Sequence, residues 1–120
     1  MSDVVTTPFA SQTGQTRVVF SSKHTIAVDN SQYNGKLRVT YSPEKLLIER
    51  ENYETFIKTH LQKDWPTPEN LLDALVNELY DVLVPYKVEA RLTLQDDTTK
   101  QTITAHKQQP ENGVYSNKEI

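Results

Sequence analysis

The sequence predicts an α+β domain. Two strands come first, then two helices, then two strands, with the strands in one antiparallel sheet and both helices on one of its faces. Three observations carry this. Leu37, Val39 and Tyr41 alternate with Lys36, Arg38 and Thr40, the period of a half-buried strand. Leu71, Leu72, Leu75, Val76, Leu79, Val82 and Leu83 fall on one helical stripe. Val88, Ala90, Leu92 and Leu94 then alternate with Lys87, Glu89, Arg91 and Thr93. Strand and helix signals come in blocks rather than in turn, which argues against a parallel doubly wound sheet.

Residues 1–15 are rich in Ser, Thr and Gln and read as a flexible arm. A single domain is expected over residues 16–107. Its first apolar stretch runs from Arg17 to Phe20 and continues from Thr25 to Val28. The polar run Asp29 to Gly35 ends in Asn34-Gly35, a turn signal between strands. Lys36 to Tyr41 forms the second strand, Ser42-Pro43-Glu44 bends the chain, and Leu46, Leu47 and Ile48 resume it.

From Glu51 the period becomes helical, with Tyr53, Phe56, Ile57 and Leu61 on the apolar face and His60 at its edge. That segment ends near Asp64-Trp65-Pro66, where Trp65 reads as a packing anchor. The second helix has a sharper start. Thr67 suits the N-cap, Pro68 the first helical position, and Glu69 the positive end of the helix dipole. Pro85 stops it. Lys87 to Gln95 and Lys100 to His106 form the last two strands, joined by a loop at Asp96-Asp97-Thr98-Thr99. Residues 108–120 are polar and are expected to form a C-terminal tail. Two sheet edges remain, and pairing between copies would satisfy them.

Composition narrows the function. The 120 residues suit one domain, and 36% apolar content is low enough that contacts between copies would help complete burial. Thirteen basic against 16 acidic residues give a net charge of −3, with no block of lysines and arginines, so nucleic acid is not an expected partner. With no cysteine there are no disulfides, thiolate metal sites or thiol nucleophiles. The N-terminal residues lack the basic and apolar regions of a signal peptide, and no run approaches the ~20 apolar residues of a membrane helix. A cytoplasmic protein without a membrane partner is expected. Gly14, Gly35 and Gly113 are isolated, so there is no phosphate-binding glycine loop. His24, His60 and His106 lack zinc-type spacing, and Asp96-Asp97 reads as a solvated tip, so no metal is expected.

Particular residues add a resemblance. The stretch from Arg38 to Glu49, RVTYSPEKLLIE, places a Tyr-x-Pro turn after a strand and an apolar run before a glutamate. It resembles the 7-cyano-7-deazaguanine (nitrile) reductases, and the likeness continues through Pro68-Glu69-Asn70 to Leu94. That family belongs to the tunnelling-fold (T-fold) group. The resemblance therefore implies a ββααββ subunit, an oligomeric barrel, and a purine-, deazapurine- or pterin-like heterocycle bound between subunits.

The family's chemistry transfers less well than its fold. Its cysteine thiolate attacks a nitrile, whereas ungapped counting puts Ile26 near that position here. Its NADPH segment carries two lysines, and the matching positions hold Glu51 and Glu54, which repel phosphates. No cofactor is expected, and NADPH only if the altered segment still binds it. The family's substrate-gripping His-Glu pair falls on Pro68-Glu69, which makes Glu69 the main substrate-binding candidate. Its carboxylate can accept two parallel N–H bonds from a guanine-like edge. Glutamate in a first helical turn also serves the helix alone. Glu49, Lys23 and His24 are weaker candidates, and no catalytic residue is assigned.

Three functions follow from the resemblance. One is a heterocycle-binding homo-oligomer without thiol-based nitrile reduction. The second is a non-catalytic structural or interaction protein that keeps the ring assembly. The third is a divergent NADPH-dependent reductase of deazapurine, queuosine-type metabolism.

Overall fold

The structure, a computed structural model, describes residues 6–8 and 17–110. Its main sheet has four antiparallel strands in the order β2 (Val18–Val28), β3 (Ser31–Ser42), β5 (Lys87–Gln95) and β6 (Lys100–Gln108). The helices α1 (Arg50–Leu61) and α2 (Pro68–Leu83) lie between β3 and β5 in the chain. A separate two-stranded pairing joins β1 (Thr6–Pro8) to β4 (Leu46–Ile48), antiparallel. Strand β1 falls within the segment for which the sequence predicts a flexible arm. Its neighbours on either side, and residues 111–120 of the predicted tail, lie outside the described residues.

The core is one layer between sheet and helices. Strands contribute Ile26, Val28, Leu37, Val39, Tyr41, Val88, Ala90, Leu92 and Leu94, all buried at the predicted alternate positions. Helix α2 adds Leu71, Leu72, Leu75, Val76, Leu79 and Leu83, and α1 adds Tyr53, Phe56 and Ile57. Helix α1 packs beside β2, whereas α2 covers β5 and β6. The start of α2 is capped as its residues require. Thr67 Oγ1 accepts a 3.1 Å bond from Asn70 N, and Pro68 occupies the first turn.

Three local expectations are corrected. The first two apolar segments are one continuous strand, because Ser21 to His24 alternates between exposed and half-buried positions. The β2–β3 turn is Asp29-Asn30, not Asn34-Gly35. Both turn residues have positive φ, 52° and 65°, as a two-residue hairpin turn demands, and both are types that tolerate it. Asn34-Gly35 lies inside β3, where Gly35 pairs with His24. Glycine is needed there for space, since a Cβ would run into the Ile26 side chain. His60 is buried rather than peripheral. Its Nδ1 donates to Phe56 O at 3.1 Å, and Nε2 lies 3.2 Å from Glu78 Oε1 on α2.

Trp65 is the packing anchor expected. Its Nε1 donates to His60 O at 2.9 Å, and its backbone bonds both Ala27 O and Asp29 N. Asp64 Oδ1 accepts from Asn30 N at 2.9 Å. The helix linker is thus fastened to the tip of the β2–β3 hairpin. At the other end, α2 closes on Val84 in the left-handed region (φ 44°), and the Gln109 side-chain amide donates to Val84 O, Pro85 O and Glu44 Oε1.

Candidate functional site

Strand β2 is a sheet edge among the described residues. Its face toward the helices carries Phe20, Ser22 and His24 at successive alternate positions, before burial becomes complete at Ile26. Helix α1 passes alongside and presents Arg50, Tyr53, Glu54, Ile57 and Lys58. Together these residues line a groove of about 290 Å³ between β2 and α1. Phe20 and Tyr53 stack at its wall, with centroids 4.1 Å apart and planes 10° from parallel.

Polar chemistry is concentrated in this groove. Ser22 Oγ and His24 Nε2 are 2.6 Å apart. Partial burial, helped by the positive charge of Lys58, holds the His24 imidazole below its usual pKa of 6.5. The ring is therefore neutral at pH 7 and can accept a proton from a hydroxyl or from a ring N–H. The Tyr53 hydroxyl is buried with no hydrogen-bond partner among the described residues. Desolvation pushes its pKa far up, so it remains a neutral donor. An orphaned buried hydroxyl costs on the order of 1–3 kcal/mol.

The structure brings two of the four predicted residues into this groove. Lys23 and His24 both border it. Glu49 is the exposed N-cap residue of α1, immediately before the groove residue Arg50. Glu69 is exposed in the first turn of α2 and is not among the groove's lining residues. Glu69 follows the Asp64–Trp65 linker, which is fastened to the tip of the β2–β3 hairpin. Ile26, at the position matching the family's thiol, is fully buried core. Sequence reasoning missed Ser22, Phe20 and the Tyr53 hydroxyl. The available signal was the period-two spacing of Phe20, Ser22 and His24, which only a continuous β2 places on one face.

No protein-family model matches the chain, and no curated protein matches it. Among solved structures, the chain is similar to that titled "Crystal structure of the archaeosine synthase QueF-Like in the apo form". The TM-score is 0.64 at 13% identity, over 75% of this chain and 91% of that one. The α+β fold, a four-stranded antiparallel sheet with two helices, is thus a QueF-like fold. No helix among the described residues is long and apolar enough to cross a membrane.

Proposed function

We propose that the chain is a tunnelling-fold protein that binds a purine-, deazapurine- or pterin-like heterocycle between copies of itself. The β2–α1 groove forms one wall of the site and Glu69 of a neighbouring copy forms the anchor. The observation that carries this is a groove at an open sheet edge in which the stacked Phe20–Tyr53 pair stands beside the hydrogen-bonded Ser22 and His24 side chains. Likeness to an archaeosine synthase of QueF-like fold supports the heterocycle class.

The arrangement across the sheet supports the shared site. Within one copy, the groove lies between β2 and α1, the body of α2 packs over β5 and β6, and Glu69 in its first turn does not line the groove. Joining the β6 edge of one copy to the β2 edge of the next brings α2 of the first toward the groove of the second. A planar heterocycle would lie against the Phe20–Tyr53 wall. Its ring N–H and exocyclic amine would bond Glu69, and its acceptors would meet Ser22. Thiol-based nitrile reduction has no place in this reading, because the chain has no cysteine. Nor does a nicotinamide cofactor, whose phosphates would meet Glu51 and Glu54.

A thermal-shift series with guanine, 7-deazaguanines, pterins and GTP tests this, since a ligand that binds the native state raises Tm by mass action. The expected result is a shift for one class that is lost in both Glu69→Ala and His24→Ala. Mixed oligomers of those two variants should regain part of it, because some interfaces then pair an intact Glu69 with an intact groove. No shift across the panel from a well-folded oligomer would favour the structural, ligand-free reading instead.

A further inference from the structure

The sheet face turned away from the helices gathers cations that are scattered along the chain. In the strand register Lys23 of β2 stands directly opposite Lys36 of β3. Two residues further along β3, Arg38 stands directly opposite Arg91 of β5. All four side chains are exposed. Among the described residues none of the four is within ion-pair distance of a carboxylate. They line one cavity of about 430 Å³ with Ser21, Ser22 and Thr93, and no acid contributes to it.

Like charges directly opposite each other destabilise a sheet, and here two such pairs occupy adjacent rows. Neighbouring strands are ~4.8 Å apart and the rows ~6.8 Å apart, so the four charges repel at close range. The remaining members of the two rows are hydroxyls. Thr93 and Thr102 continue the lysine row, and Ser21 and Thr104 flank the arginine row. The two rows therefore carry hydrogen-bond donors throughout and nothing that neutralises the charge. Arginine supplies planar, paired donors suited to phosphate oxygens, and lysine supplies a point charge beside them.

The cationic area is bounded by acids along the strands in both directions. The next row on one side contains Glu89, which lines a cavity with Arg17, Arg38 and Arg91. On the other side come Thr25, the amides Asn34 and Gln95, and a further cation, Lys100, and beyond them Asp96 and Asp97. A long polyanion laid along the strands would meet these carboxylates.

We infer that this cup binds a compact oligophosphate, two or three bridged phosphate groups, whether free or carried by a nucleotide. Lys23, Lys36, Arg38 and Arg91 supply the charge, and Ser21 and Thr93 supply neutral donors. The cup adjoins the heterocycle site of the proposed function at β2 but is built on different cations. Its four cations stand on the other face of the sheet, and the two cavities share Ser21, Ser22 and Lys23 at the β2 edge.

The test uses the full chain with inorganic pyrophosphate and tripolyphosphate, against sodium sulfate and sodium chloride at matched ionic strength. Melting temperature and titration calorimetry are the readouts. Pyrophosphate and tripolyphosphate are expected to raise Tm saturably, beyond the effect of either control salt. Arg91→Thr extends the threonine row and removes one like-charge contact. It is expected to melt higher than the parent without ligand, yet bind pyrophosphate at least tenfold more weakly. Arg38→Gln should lose affinity similarly, whereas Lys45→Gln, away from the cup, should bind as the parent does. Equal shifts from pyrophosphate and sulfate would overturn the inference, as would full affinity in Arg91→Thr. Tighter binding of a short single-stranded oligonucleotide than of tripolyphosphate would also overturn it, by assigning the cup to nucleic acid. Nucleoside triphosphate binding that survives Glu69→Ala but not Arg91→Thr would separate this site from the heterocycle site.

Discussion

Gly35→Ala isolates one packing constraint, and its cost can be worked from the structure. Gly35 lies in extended backbone within β3, so alanine introduces no backbone strain. A methyl group there collides with Ile26 Cδ1, lies 3.1 Å from Ile26 Cγ1, and touches Leu94 Cδ2 at 3.4 Å. Ile26 is fully buried and has little freedom to swing away. Overpacking of this kind costs about 1–3 kcal/mol. Losing glycine's freedom in the unfolded chain returns about 0.5–1 kcal/mol. The expected net loss is about 1–2 kcal/mol.

Ile26→Val removes Cδ1 and by itself costs about 0.5–1.5 kcal/mol. In the double variant the new methyl occupies the vacated space. The two losses should therefore fall short of their sum by about 1–2 kcal/mol. Urea denaturation of the four proteins, with unchanged m values, gives the cycle. Additive losses would refute the argument, as would a Gly35→Ala protein as stable as the parent.

Three other substitutions have signed expectations. Val84 is a β-branched residue at φ 44°, with 51% of its surface exposed, so little packing holds it there. Val84→Gly should gain about 0.5–1 kcal/mol and raise Tm by about 2–5 °C in a thermal scan. Tyr41 Oη accepts a buried 3.0 Å bond from Ile48 N, so Tyr41→Phe strands that N–H and should cost about 1–3 kcal/mol by urea denaturation. Asp96 accepts bonds from Thr98 N and Thr99 N, at 2.9 and 2.8 Å, which hold its carboxyl below the usual value of 3.8. Its stabilising contribution is present above about pH 4 and is lost as pH falls through the lowered folded value, because the unfolded chain then binds more protons. Acid titration of Asp96→Asn should lack that component of the pH dependence, and an unchanged acid limb would refute it.

What could be read in advance follows from how far each signal reaches along the chain. Helix α2 was legible because its stripe and its Thr67-Pro68 start are both local. Strand β5 was legible for the same reason, since Val88 to Leu94 alternates without interruption. The β2–β3 turn was misplaced because Asn-Gly is the stronger local signal. What decides it is the space under Ile26, a contact across the hairpin that single-strand patterns do not encode. The pairing of β1 with β4 depends on two three-residue segments far apart in sequence, each too short to announce itself.

The candidate residues divided in the same way. His24 and Lys23 were reachable through family likeness, but Tyr53 reads as plain core in any periodicity, and its unpartnered hydroxyl is visible only in three dimensions. The absence of any basic run in the chain was a sound observation. Even so, three strands assemble a basic cup from residues 23, 36, 38 and 91, because register and not sequence distance sets which charges become neighbours.

The sheet consists of two hairpins joined along a single seam, and this bears on the order in which the chain can fold. Strands β2 and β3 meet through a two-residue turn, and β5 and β6 through the four residues Asp96 to Thr99, so each hairpin can zip locally. The β3–β5 seam instead requires Ser42 to find Lys87 across both helices. Each doubling of loop length adds about 0.6 kcal/mol of closure entropy, so this roughly 45-residue closure costs about 2 kcal/mol more than the Asp96–Thr99 loop. Leu37, Val39 and Tyr41 on one side meet Leu92, Ala90 and Val88 on the other, and all six are buried. The seam is thus the longest closure in the main sheet, and Leu71, Leu75 and Leu79 of α2 complete the layer that holds the two hairpins together.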